Sequence, residues 1–99
     1  MWEWKLWDHL VQDNDATKAS YGAVSQRPER LDVNFLNKTT TATDWIHFNG
    51  LAYNADLDQI IVSSRELSEV YIIDHSTTNA EAASSRGGRQ GKGGDFLWR

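Results

Sequence analysis

The chain has 99 residues, no cysteine and a formal net charge of −4, with 39% apolar and 24% charged residues. This composition excludes a disulfide framework, a thiolate metal site and a disordered chain, and the acidic balance argues against a protein that coats nucleic-acid phosphates. The sequence contains no apolar run near the roughly 18 residues of a membrane helix, and its first residues predict no signal peptide. What remains is one modest core rich in tryptophan.

The N-terminal part is predicted to be one strand followed by a long loop. Residues 2–7 alternate large apolar and charged side chains, which predicts a strand with Trp2, Trp4 and Leu6 on its buried face. A helical turn over residues 8–12 continues it. Residues 8–43 as a whole form a mostly polar insertion loop, of a length that is usually functional when ordered.

Three short strands are predicted in the middle of the chain. The turn between the first two is favoured by the Asn and Asp side chains of residues 54–58. Their spacing of roughly 10–12 residues is typical of an antiparallel meander, as in a sandwich or a propeller blade. The predicted strands are 45–53, 59–63 and 69–74.

The C-terminal part completes an all-β fold. Residues 77–83 have helical character, residues 84–94 are a loop rich in Gly, Arg and Ser, and residues 95–99 begin a fourth strand. We therefore expect an antiparallel four-stranded blade over residues 44–99, flanked by the strand at 2–7. Over the whole chain, 1–99, a sandwich and part of a β-propeller both fit this pattern.

Two polar residues lie on the first strand of the meander. Strand alternation puts His47 and Asn49 on one face together with Leu51, and Phe48 on the other face. Imidazole and amide would then form a donor and acceptor pair about 6–7 Å apart. A polar pair that is simply satisfied at a strand end is the alternative interpretation.

Arg65 closes the second strand of the meander, in the run Ser63-Ser64-Arg65. Its planar guanidinium suits a sulfate, phosphate or carboxylate. The alternative is a surface arginine paired with Glu66 or Glu69.

The remaining histidines and loops carry no predicted chemistry. His9 beside Asp8 is given no catalytic role and is expected to shape a loop, and His75 is expected to be solvated in a turn. The loop at 86–94 fails the phosphate-loop pattern, and residues 13–15 do not continue into a calcium loop. No metal site is predicted.

Six segments together resemble one family, the bacterial aryl-sulfate sulfotransferases, which are six-bladed β-propellers. The resemblance extends in order over nearly the whole chain, and the spacing from His47 to Arg65 is its most specific part. The segments are Trp2-Glu-Trp4, Trp7-Asp-His-Leu-Val-Gln12, Asp44-Trp-Ile-His-Phe-Asn49, Ile61-Val-Ser-Ser-Arg65, Tyr71-Ile-Ile-Asp-His75 and the closing Gly-Gly-Asp-Phe-Leu-Trp-Arg99.

The resemblance implies a chemistry and a set of site residues. The family transfers a sulfuryl group from a phenolic sulfate ester to a phenol through a sulfohistidine, with no cofactor and no nucleotide donor. His47 and Arg65 would be catalytic, gripping the sulfuryl oxygens, and Asn49 would bind and orient the substrate. No nucleic acid or membrane partner is implied, and family members are exported to the periplasm or secreted.

The resemblance also implies that the chain carries only part of the site. The histidine that becomes sulfated in the family lies beyond the strand that begins at Asp95, and a further histidine motif lies before Trp2. We therefore expect an internal fragment that is inactive alone. Gly50 and Glu66 stand where the family pattern leads us to expect Ser and a His-like polar residue.

Two other functions stay open at the level of sequence. One is a non-catalytic β-propeller or β-sheet module that binds an anionic ligand through Arg65 and the basic loop Arg86–Lys92. The other is a structural β-module in which these groups are merely exposed.

Overall fold

The computed structural model describes residues 1–13, 15–32, 48–65 and 68–98. No helix in these described ranges is long and apolar enough to cross a membrane. The strands are β1 (Leu10–Val11), β2 (Leu31–Asp32), β3 (Phe48–Asn54), β4 (Gln59–Ser64) and β5 (Glu69–Asp74), and they are accompanied by helix α1 (Asn79–Ala82) and 3-10 helices at Leu6–His9 and Val24–Gln26.

The centre of the fold is an antiparallel sheet in the order β3-β4-β5. The predicted strands at 59–63 and 69–74 are confirmed, and the described part of the predicted strand at 45–53 coincides with β3, since residues 45–47 lie outside the described ranges. The β3–β4 turn forms as expected, because Asn54 Oδ1 accepts hydrogen bonds from the backbone N–H of Asp56 at 3.1 Å and of Leu57 at 3.2 Å.

One face of this sheet builds the core. Val62 of β4 and Tyr71 and Ile73 of β5 are buried there, together with Leu31 of β2 and Phe96 near the C-terminus. The rings of Tyr71 and Phe96 lie 4.5 Å apart between centroids. The core therefore joins strand residues to two segments that are distant in sequence, and the N-terminal segment packs over it with Trp2, Trp4 and Leu6.

The prediction of a strand at 2–7 is wrong, although its buried face is confirmed. Residues 2–5 have no strand assignment and a 3-10 helix begins at Leu6. The anchors are side chains instead of a backbone ladder: the Trp2 indole N–H donates to Thr77 Oγ1 at 3.0 Å, and the Trp4 indole N–H donates to the Gly94 carbonyl at 2.8 Å. Alternating side chains can thus bury one face without pairing.

The predicted helical turn at 8–12 is wrong beyond its first two residues, since Asp8 and His9 belong to the 3-10 helix Leu6–His9. Leu10 and Val11 form β1, which pairs in parallel with β2, and Gln12 forms an isolated bridge with Tyr21. The region interpreted as a long loop therefore contains two short strands, and its residues 33–43 lie outside the described ranges.

The C-terminal part follows the prediction in outline. Helix α1 lies inside the predicted 77–83 and begins with a capping box between Thr78 and Glu81. No helix or strand is assigned to residues 84–94. In place of a fourth strand at 95–99 there is one antiparallel bridge between Trp98 and Ile72. The described chain is thus mostly β, with three paired strands in the sheet instead of the four predicted.

Candidate functional site

A β-bulge lies at Asn49, near the first residue of β3. Phe48 pairs with Ser64 and Gly50 pairs with Ser63, so Asn49 is an extra residue with no partner position on β4. Bulges of this kind re-aim a side chain and are frequent beside active sites. The local structure therefore sets Asn49 apart from the rest of the strand.

The bulge changes which side chains share a face. Residues directly opposite each other in an antiparallel pair point to the same side, so Leu51 lies on the side of its partner Val62, which is in the core. Phe48 lies on that side as well, with its ring 6.0 Å from that of Tyr71. The predicted faces of β3 are therefore wrong, because the extra residue interrupts the period of two.

Asn49 is held by a side chain of β4. The Ser63 hydroxyl donates to Asn49 Oδ1 at 3.0 Å. A Cβ atom at Gly50 would lie 2.5 Å from the same hydroxyl oxygen, so the hydroxyl occupies the space beside the glycine. Asn49 is exposed and Ser63 is half-buried, which leaves the amide accessible to a solute.

Arg65 directly follows β4 at the same end of the β3–β4 pair. Its carbonyl accepts a hydrogen bond from the Ser68 N–H at 3.3 Å, which closes the turn into β5, and its side chain is exposed. Asn49 and Arg65 thus flank the start of β3 and the end of β4. His47 and Glu66 lie outside the described residues.

A family model described as Arylsulfotransferase (ASST) matches residues 1–81 of the chain. The chain belongs to the arylsulfotransferase family. The match includes the N-terminal segment, the sheet and all but the last residue of α1, and with them the positions of His47, Asn49 and Arg65. No curated protein and no solved structure matches the chain.

A second polar cluster in this arylsulfotransferase chain lies at the opposite end of the sheet. Asp58, in the β3–β4 turn with a positive φ of 52°, accepts hydrogen bonds at 2.7 Å from the Tyr53 hydroxyl and from His75 Nδ1. The His75 ring also lies 4.7 Å from the Trp2 ring. His75 is therefore half-buried and bound, which corrects the prediction of a solvated side chain.

The Tyr53 hydroxyl and, after it, His75 hold the pKa of the Asp58 carboxyl below its ordinary value. The same hydrogen bond to Asp58 raises the pKa of Tyr53. Both shifts favour a charged carboxylate and a neutral phenol, which is the state in which the hydrogen bond is strongest. The cluster ties the β3–β4 turn to the residue that follows β5.

The basic loop belongs to that opposite end. Its Gly88 N–H donates to Glu81 Oε2 at 3.2 Å and its Gln90 N–H donates to Asp74 Oδ2 at 3.1 Å, so two carboxylates order the backbone. The Arg89 guanidinium donates to the carbonyl of Leu57 in the β3–β4 turn at 3.5 Å. Since β4 spans about 17 Å, the structure does not bring Arg89 together with Arg65.

His9 is the residue that sequence reasoning most underestimated. It is fully buried, its Nδ1 lies 2.6 Å from Asp95 Oδ1, and its Nε2 lies 2.7 Å from the carbonyl oxygen of Ala82. Its ring stacks on Trp4 with the centroids 5.3 Å apart. The Ala82 carbonyl only accepts, so Nε2 donates to it, and a charged carboxylate also only accepts, so Nδ1 donates to Asp95.

The environment of Asp95 keeps it charged. Burial raises its pKa, but hydrogen bonds from His9 and Ser85 and the charge of Arg30 outweigh that effect and leave the pKa below its ordinary value. The Arg30 Nε atom lies 3.6 Å from Asp95 Oδ1. The signal available in the sequence was the pair of segments Trp-Asp-His and Gly-Gly-Asp, but nothing local reveals that they meet.

Both described histidines are engaged by carboxylates. Among the described residues, no group of three His, Asp or Glu side chains is arranged to hold a metal ion. The chemistry that the described site offers is that of hydrogen-bond donors and one exposed guanidinium.

Proposed function

We propose that this arylsulfotransferase chain carries the part of a sulfuryl-transfer site that binds the sulfate group, at the end of the sheet formed by the start of β3 and the end of β4. The substrates are a phenolic sulfate ester and an acceptor phenol. The observation that carries the proposal is the bulged, exposed Asn49 at the same sheet end as Arg65, in a chain that the family model matches across both.

The proposed roles are electrostatic. Arg65 and His47 grip the sulfuryl oxygens, and the amide of Asn49 orients them. Sulfuryl transfer spreads negative charge over these oxygens in the transition state, and donors already aimed at that charge lower the barrier without reorganising. Guanidinium is suited to this task because it stays protonated and offers donors in a planar fork.

The reaction proceeds in two transfers. In the first, a histidine nitrogen attacks sulfur, the S–O bond to the donor breaks, and the donor phenol leaves with a proton. In the second, the acceptor phenol oxygen attacks the same sulfur, the S–N bond breaks, and the acceptor proton is released. The net reaction exchanges one phenol for another.

The nucleophile is not one of the described histidines. His9 is buried with both ring nitrogens in contact with oxygen atoms, and His75 lies at the other end of the sheet. Since His47 has the proposed role of gripping the sulfuryl oxygens, we propose that the sulfated histidine comes from sequence beyond these 99 residues, so that this chain binds aryl sulfate but does not turn it over. A six-bladed propeller and export to the periplasm are parts of the same proposal, supported by family membership.

A transfer assay tests the catalytic half of the proposal. Purified chain with 4-nitrophenyl sulfate and phenol is expected to release 4-nitrophenol no faster than a His47→Ala control. Turnover by the wild-type chain above that control would show that the nucleophile lies within the chain.

A binding assay tests the other half. Arg65→Ala should weaken the binding of 4-nitrophenyl sulfate about tenfold, which is the low end of the 1.5–3 kcal/mol of a hydrogen bond to a charged group. Arg89→Ala is the matched control, because it removes the same charge at the opposite end of the sheet. A loss in the control and none in Arg65→Ala would contradict the proposal and would assign anion binding to the basic loop alone.

A further inference from the structure

We infer that Ser63 is a positioning residue that holds the Asn49 amide in place beside β4, and that Gly50 provides the space in which it does so. The part of this inference that concerns a ligand rests on the proposed function. The part that concerns the amide rests on the contacts of β3 and β4 alone.

The hydroxyl holds the Asn49 amide with its N–H groups facing outward. Ser63 donates to Asn49 Oδ1 at 3.0 Å, so the carbonyl end is turned towards β4 and the two N–H groups of Nδ2 are turned away from the hydroxyl. A sulfate ester oxygen can only accept hydrogen bonds. An amide rotated by 180° would present its own oxygen to that group and repel it, so the orientation decides whether Asn49 attracts or rejects a sulfate.

Gly50 is required by the same contact. A Cβ at this position would lie 2.5 Å from the Ser63 hydroxyl oxygen and 3.7 Å from Ser63 Cβ. Any side chain at position 50 would therefore displace the hydroxyl from its place beside Asn49. This gives a physical reason for the glycine where the family resemblance leads us to expect serine.

The bulge makes the contact possible. In an uninterrupted strand, neighbouring residues point to opposite faces. Asn49 is the extra residue between Phe48 and Gly50, and its side chain reaches the hydroxyl of Ser63, which is the partner of Gly50. The bulge, the glycine and the serine thus act together on one amide.

The test compares four forms of the full chain by NMR of the Asn49 side-chain amide. Ser63→Ala removes the hydroxyl, Gly50→Ala keeps it but displaces it, and Ser63→Thr keeps both the hydroxyl and its place. Because Ser63 is half-buried and Asn49 exposed, all four forms should fold, which circular dichroism checks. We expect the two Nδ2 proton resonances to move closer together in Ser63→Ala and Gly50→Ala and to stay near the wild-type values in Ser63→Thr.

The second readout is the binding of 4-nitrophenyl sulfate. Ser63→Ala and Gly50→Ala should each weaken it about fivefold, the effect of one neutral hydrogen bond, and Ser63→Thr should bind as the wild type does. Unchanged Asn49 resonances in Ser63→Ala would overturn the inference. If the variants show the resonance changes but the wild-type chain binds no aryl sulfate, the proposed function is overturned and the positioning role stands.

Discussion

Replacing His9 by alanine removes the side chain that ties the start of the chain to its end. The variant loses the contact to Asp95 at 2.6 Å and the hydrogen bond to the carbonyl of Ala82 at 2.7 Å, and it leaves a cavity under the Trp4 ring. The His9 and Asp95 side chains are both buried, with 0% and 3% of their surface exposed.

The cost of this change is large because Asp95 would remain charged without its closest partner. Removal of one member of a buried ion pair costs about 3–5 kcal/mol. A domain of this size has a total stability of about 5–15 kcal/mol, and each kcal/mol shifts its melting temperature by about 4–8 °C. We therefore expect His9→Ala to lower the melting temperature by about 12 °C or more.

His75→Ala is the matched control, since it also deletes a histidine bound to an aspartate. The His75 and Asp58 side chains are 35% and 26% exposed, and a pair that is open to solvent contributes much less to stability than a buried pair. Thermal and urea unfolding followed by tryptophan fluorescence measures both variants. If His9→Ala does not fold, Asp95→Asn, which keeps the shape and removes the charge, should still cost about 1–3 kcal/mol. Equal losses in His9→Ala and His75→Ala would refute the reasoning.

The remaining predictions concern pH, the glycine-rich loop at 84–94 and the helix cap. Asp95 and Asp58 have pKa values below the ordinary 3.8, so their contribution to stability is complete above pH 3.8 and is lost as the pH falls through their lowered pKa values. Urea unfolding between pH 6 and 2 should show this loss. A free energy of unfolding that rises towards acid pH would contradict it. Gly93→Ala should destabilise the chain more than Gly91→Ala does. Both glycines have a positive φ, but only at Gly93 would a Cβ atom meet backbone atoms. Equal melting temperatures of the two variants would contradict this prediction. Thr78→Ala should cost about 1 kcal/mol by opening the capping box of α1, and an unchanged melting temperature would show that the cap is not used.

The sequence was sufficient to predict the strands whose own residues have a strong preference for β-structure. β4 and β5 are compact, β-branched runs bounded by turn residues, and Asn54 caps the turn between β3 and β4 as its type predicts. The helix at 79–82 lies inside the segment 77–83 that is predicted to have helical character, and the structure shows that Thr78 and Glu81 cap it. Local chemistry decides each of these elements.

The parts that failed depend on contacts between distant segments. Residues 2–7 do alternate between the core and solvent, but the segment is anchored by indole hydrogen bonds to Thr77 and Gly94 and not by backbone pairing with a strand. The bulge at Asn49 is a feature of the pairing between β3 and β4, and a single extra residue reverses the face assignments that a period of two makes beyond it. His9 had no visible partner because Asp95 lies 86 residues away.

The measurement that tests the proposed site most directly is a map of where an aryl sulfate binds. Addition of 4-nitrophenyl sulfate to ¹⁵N-labelled chain should perturb amide signals at Asn49, Gly50 and Ser63–Arg65. These perturbations should need about tenfold more ligand in Arg65→Ala and the wild-type concentration in Arg89→Ala. Perturbations confined to the basic loop Arg86–Lys92, or none at all at saturating ligand, would contradict the assignment of sulfate binding to this end of the sheet.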